Sequence, residues 1–183
     1  MQTVTQAHHA TLRRRAMRRR TLSLAAAVIV VALGWYLFRP ELLFISRHVN
    51  ETFPATAAQQ TPSSPGALMR LSQGRFHGGA HATQGLATLY QLPDSKRALR
   101  LTEFETSNGP DVQVYLVATT DATDNETVTQ AVFIHLGALK GTIGDQNYEV
   151  PANVDLSKYQ AVTIWCRRFG VNFGTAPLTP QRS

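Results

Sequence analysis

The chain has 183 residues, 16% of them charged, a net charge of +6 and a single cysteine. The whole charge excess lies in Arg13, Arg14, Arg15, Arg18, Arg19 and Arg20, because from residue 21 onward twelve Lys and Arg face twelve Asp and Glu. This excludes a basic nucleic-acid-binding face on the folded body, which would need cationic and aromatic residues spread over one surface.

Residues 1–20 read as a basic cytoplasmic tail. The stretch 21–38, TLSLAAAVIVVALGWYLF, carries no charge and is bounded by Arg20 and Arg39. As a helix it would span about 27 Å, close to the hydrocarbon thickness of a bilayer. Trp35 and Tyr36 stand where amphipathic rings prefer the interface, and the arginines before it predict a cytoplasmic N-terminus with the rest outside. A cleaved signal peptide would need small residues after a shorter apolar run, whereas GWYLFRPELL follows here. No cysteine follows for a lipoprotein anchor, and flanking arginines argue against a buried core helix. The expected partner of 21–38 is therefore the membrane, as a single uncleaved anchor with the C-terminal domain extracytoplasmic, periplasmic or at the cell surface.

A juxtamembrane segment, 39–53, comes next. Pro40 suits a first helical turn, and Leu42, Ile45, Val49 and Phe53 recur at helical steps, predicting an amphipathic helix over 41–53 or a frayed extension of the anchor. Residues 54–66 belong to a Pro-, Ser-, Thr- and Gln-rich stretch, read as a linker holding the domain off the membrane.

From residue 67 to 179 the texture is short alternating segments between turn signals, ahead of a tail at 180–183. Residues 85–92 read as a strand with Leu86, Thr88, Tyr90 and Leu92 on one face. Residues 97–104 follow with Leu99 and Leu101 inward. SNGPD at 107–111 is a turn. Residues 112–119 place Val112, Val114 and Leu116 on one face, with Tyr115 and Val117 opposite. Residues 121–126 read as a polar loop, 131–136 as a strand, and 139–151 as a hairpin. DLSKY at 155–159 is a turn capped by Asp155, and strands at 161–169 and 171–178 close the domain. No helical period stands out. The expected fold is all-β, an antiparallel sandwich or barrel-like domain behind a single N-terminal transmembrane helix.

In the strand at 161–169, Val162, Ile164 and Cys166 share one face and Thr163 and Trp165 the other. Arg167-Arg168 suggests a bulge or barrel rim, and alternation puts Arg168 on the face of Cys166. Three roles stay open for Cys166: a buried small hydrophobe, a redox thiol whose pKa a nearby arginine lowers, or an intermolecular disulfide. His77, His81, His135, Met69 and Cys166 supply a metal inventory, but no spacing selects a site. No C-x-x-C-H haem motif or G-x-S-x-G nucleophile elbow occurs. Asp111 suits hydrogen bonding within its turn, and Tyr148 and Trp165 suit core or interface positions. Asn50-Glu51-Thr52 and Asn125-Glu126-Thr127 match the glycosylation acceptor pattern. No cofactor follows from the sequence, and an enzyme is not indicated.

Four stretches, GRFHGGAHATQGLATLY at 74–90, LRLTEFETSNGPDVQVYL at 99–116, LGALKGTIGDQNYEVP at 136–151 and YQAVTIWCRRFGVNFGTAPL at 159–178, resemble the DM13 domain. The resemblance runs over residues 70–179, in a GPD turn, an LKG-x-x-G-x-x-x-Y segment and a W-C strand. It implies an extracellular β-rich module of the kind found beside DOMON or cytochrome b561-like domains, with a proposed redox or electron-transfer role. Cys166 takes the place of that family's cysteine. One stretch of bilayer length and no DOMON-like segment are present, so an electron-transfer partner is expected to be a separate protein. The other reading is a non-enzymatic binding or adhesion module with a structural cysteine, working through the loops at 108–111 and 121–126.

Overall fold

A computed structural model describes residues 23–36, 46–53 and 68–181. Residues 23–36 form a helix, α1, and belong to a unit separate from the one that holds residues 42–183. Among the described residues no helix is long and apolar enough to cross a membrane. The two ends of the expected anchor, the basic tail and the linker at 54–66 lie outside the described residues.

The second unit is a β-sandwich of two antiparallel five-stranded sheets. Its strands are β1 (Met69–Arg75), β2 (His77–Gly78), β3 (Gln84–Gln91), β4 (Arg97–Glu105), β5 (Val112–Val117), β6 (Phe133–Ala138), β7 (Gln146–Val150), β8 (Ala161–Cys166), β9 (Val171–Pro177) and β10 (Thr179–Pro180). The first sheet runs β10-β1-β3-β4-β7 and the second β2-β9-β8-β5-β6. Of the two expected forms, sandwich or barrel-like, the described residues show the sandwich.

Alternation explains the core. Leu99, Leu101 and Phe104 from β4 meet Val112, Val114 and Leu116 from β5 and Val162, Ile164 and Cys166 from β8 in one buried cluster. Each such aliphatic side chain contributes about 1.5–3 kcal/mol on burial. The other face of β5 and β8 is also buried. Tyr115, Val117 and Trp165 pack under Val128 and Ala122 in a second cluster. Val128 lies on a short helix, α2 (Asn125–Gln130), whose first turn is capped by Asp124 accepting from Thr127 N at 2.7 Å. The polar stretch read as a loop therefore carries one helical turn, too short to show a period.

One expectation is refined and two are corrected. In β3 Leu86, Thr88 and Tyr90 share a face as alternation assigns, and it is the opposite face, with Ala87 and Leu89, that joins the core. Gly85, at φ +113, and a register shift between Gln84 and Leu86 set the phase, and the outer face has its own apolar partner because Phe53 lies 5.0 Å from the Tyr90 ring. Residues 139–151 are not a hairpin. β6 pairs with β5 in one sheet and β7 with β4 in the other, so this segment crosses the sandwich. Residues 46–53, expected as part of an amphipathic helix, are extended instead. His48 bridges Ile143 in parallel, and Val49 N and Glu51 N donate to Ile143 O and Asp145 O at 2.9 Å each. The apolar spacing there serves two contacts on the sandwich: Val49 lies over Gly141 and Phe53 lies on Tyr90.

Candidate functional site

The W-C strand, the GPD turn and the LKG segment converge at one end of the second sheet. β8 ends at Cys166, whose Cα partners are Val112 on β5 and Val171 on β9. The side chain is fully buried, and its thiol donates to Pro110 O at 3.2 Å. A neutral thiol in an aliphatic setting has few better partners than a backbone carbonyl. Cys166 is thus seated directly behind the GPD turn.

Asp111 closes that turn with a left-handed φ of 65°, a conformation Asp adopts more readily than most residues. Its carboxylate accepts from Arg167 Nε at 2.8 Å and Nη2 at 3.2 Å, and from Gln113 Nε2 at 2.5 Å. Arg167 N also donates to Asp111 O at 3.1 Å, and Gly170 N to Cys166 O at 2.9 Å. Hydrogen bonding to Asp111, followed by its charge, raises the Arg167 pKa further above its already basic value. The expectation that Arg168 shares the face of Cys166 is overturned. The strand stops at Cys166, residues 167–170 form a turn, and Arg167 makes the contact with Asp111. A register irregularity does occur nearby, but on the β9 side, between the pairs Ile164↔Gly174 and Trp165↔Asn172.

On the other side of the GPD turn lies a cleft of about 330 Å³. One wall is Asn108, Gly109, Asp111, Val112 and Gln113, the other is residues 138–142, and Arg47 completes the rim. The volume is at the small end of the range for small-molecule sites. Tyr148 and Gln146 support the second wall from within the core. The Gln146 carbonyl accepts from Tyr148 OH at 2.8 Å and from Lys140 N and Gly141 N at 3.2 Å each, while its amide donates to Gly141 O at 2.8 Å. Tyr148 OH accepts from Lys140 N at 3.1 Å. Burial pushes the Tyr148 phenol well above its ordinary value, against the lowering effect of the Lys140 N–H.

Cys166 and Asp111 therefore meet at one turn, and Tyr148 backs the neighbouring wall. Trp165 points the opposite way, into the cluster beneath α2. The loops at 108–111 and 121–126 do not form one surface, because they flank opposite ends of β5, about 20 Å apart. The histidines separate as well. His77 Nε2 is 2.7 Å from Asp121 Oδ1, His135 Nε2 is 2.7 Å from Gln113 Oε1, and the His81 ring lies 3.9 Å from that of Phe173. Among the described residues no three His, Cys, Asp or Glu side chains are grouped to hold a metal ion. Both acceptor-pattern asparagines are engaged: Asn50 Oδ1 accepts from Asp145 N and Asn125 Oδ1 from Asn172 N.

Sequence reasoning missed Gln146 and Gln113, and left open which of Arg167 and Arg168 would lie at the turn. Gln113 links His135 to Asp111, and Gln146 is fully buried. The signal for Gln146 was a lone amide inside a glycine-rich segment, and its meaning depends on the crossing of that segment between sheets.

A family model described as electron transfer DM13 matches residues 75–178. No curated protein matches the chain, and no solved structure does. The matched region holds the GPD turn, the LKG segment and Cys166, which the fold has brought to one end of the sandwich, and the chain belongs to the DM13 family.

Proposed function

We propose that this chain is a membrane-anchored, extracytoplasmic electron-transfer accessory in which Cys166 is the redox group and the GPD turn is its gate. The observation that carries the reading is the position of the family region's one cysteine behind a turn held by Asp111 and Arg167. Anchoring is supported by the apolar run at 21–38 and by α1, on which Leu24, Val28, Ile29 and Leu33 are all more than half exposed. Such a surface calls for an apolar surrounding.

With the turn displaced, the Cys166 thiol would pass its proton to solvent, and the thiolate would attack a disulfide of a separate partner protein. A Cys166–sulfur bond forms, the partner's S–S bond breaks, and the second partner sulfur leaves as thiolate. A further thiolate would then attack the partner sulfur of that mixed disulfide, forming a new S–S bond with it as the Cys166–sulfur bond breaks and Cys166 leaves as thiolate.

The second reading is a binding module with a structural cysteine, acting through the cleft beside the GPD turn. Full burial of Cys166 and its contact to Pro110 O favour it. Native incubation with glutathione disulfide, followed by mass measurement of the intact chain and a visible absorption spectrum, separates the two. A mixed disulfide formed under native conditions, or a visible band, supports the electron-transfer reading. A colourless protein that reacts only after denaturation overturns it.

A further inference from the structure

Residues 46–53 precede the family-matched region, yet they are fitted to it closely. Arg47 O accepts from Thr142 N at 2.9 Å and Ile143 N at 3.2 Å, and the backbone pairing continues through Val49 and Glu51. Glu51 is the most heavily used side chain of the segment. Its carboxylate accepts from Lys140 Nζ at 2.8 and 3.0 Å and from Asn147 N at 2.8 Å. Arg100 donates to Glu51 O at 3.1 Å and lies 5.3 Å from the Phe53 ring, which in turn rests on Tyr90.

The floor of this groove is the LKG-x-x-G segment, and its two glycines are shaped to the occupant. A Cβ on Gly144, where φ is +104, would stand 2.1 Å from Val49 O. A Cβ on Gly141 would stand 2.7 Å from both Arg47 O and Val49 Cγ2. Only bare backbone leaves room for the passing segment.

We infer that the LKG-x-x-G segment is a docking groove for an extended peptide, and that the chain's own residues 47–53 occupy it as a strap pinned by Glu51 on Lys140. The mode is strand addition, with backbone hydrogen bonds giving affinity and one side chain giving register. Two consequences follow. The strap delivers Arg47 to the rim of the cleft beside the GPD turn. It also moves the point of attachment, because the strap lies on the sandwich ahead of β1 in the chain.

The test is hydrogen exchange on the intact chain, read at Val49 and Glu51. The strap predicts that both amides are protected, and that the double variant E51K/F53A loses that protection at least tenfold while amides of β5 and β8 are unchanged. Unprotected Val49 and Glu51 amides in the wild type would overturn the inference, as would protection indifferent to the double variant. A second measurement places a protease site within 54–67. After cleavage, the N-terminal piece should retain the C-terminal piece in a pull-down, and E51K/F53A should release it in folded form. Wild-type pieces that separate while the C-terminal piece keeps its β-sheet circular dichroism would refute the strap.

Discussion

Whether Cys166 is uncovered by a local movement or only by unfolding of the sandwich is decided by a mutation in the opposite sheet. Leu101 lies on β4 in the opposite sheet and is fully buried in the shared core. Leu101→Ala should cost about 2–5 kcal/mol. The groups that close Cys166 off at the end of its strand are local: the GPD turn, the residue 167–170 turn, and the Asp111–Arg167 contacts that join them. Opening those turns leaves Leu101 in place, so its truncation should leave the rate of native Cys166 alkylation within about twofold of wild type, whereas global stability falls by the full amount. If exposure required global unfolding, the same substitution would speed labelling roughly thirty- to several-thousand-fold, since each 1.4 kcal/mol is tenfold. The assay is maleimide labelling followed by mass measurement, beside a urea melt of both proteins. A labelling rate that rises in step with the lost stability would refute the local gate, and with it the electron-transfer reading of Cys166.

The remaining predictions concern the strap and the wall it touches. Gly144→Ala should lower stability by about 1–3 kcal/mol from its backbone conformation alone, read as a shift in urea midpoint, and should also abolish exchange protection at Val49. Tyr148→Phe should cost about 1–2 kcal/mol, because Lys140 N and the Gln146 carbonyl lose a buried partner, and in the wild type the ultraviolet signature of Tyr148 ionisation should be missing at pH 10. Burial raises the Glu51 pKa, but the hydrogen bonds from Lys140 and Asn147 N and the charges of Lys140 and Arg100 outweigh it and leave it below the ordinary value of 4.5. Glu51 therefore stabilises the docked strap above that value and ceases to as pH falls through its depressed folded value, so protection at Val49 and Glu51 should be lost on acidification before that of β5. Doubling the length of 54–67 should cost only about 0.6 kcal/mol of loop entropy, and the urea midpoint should barely move.

Much of the sandwich was legible because its strands obey a period of two. β4, β5 and β8 present the faces that alternation assigns, down to the opposite directions of Cys166 and Trp165. In β3 alternation gave the shared face but not which side is the core, because both faces find apolar cover, one in the core and one under Phe53. The hairpin at 139–151 misled because glycines permit a turn without saying which strands it joins. Arg168 was misplaced for a related reason: alternation has no meaning beyond the last paired residue. The strap was hidden more deeply. Its contacts join residues about ninety positions apart, and Glu51 or Gly144 alone carries no mark of a partner at that distance.

The pairing of β1 with β10 has a mechanical consequence. The strands are antiparallel, Ser72 opposite Pro180 and Gln73 opposite Thr179, and Gln181 N reaches Leu71 O, so the entry and exit of the family region lie at the same end of the pair. Tension applied at those two points loads the hydrogen bonds one after another, as in opening a zipper, and never all together in shear. The sheet edge thus yields at low force. With the strap seated, a pull from the N-terminal side reaches the Glu51–Lys140 contact before it reaches that edge.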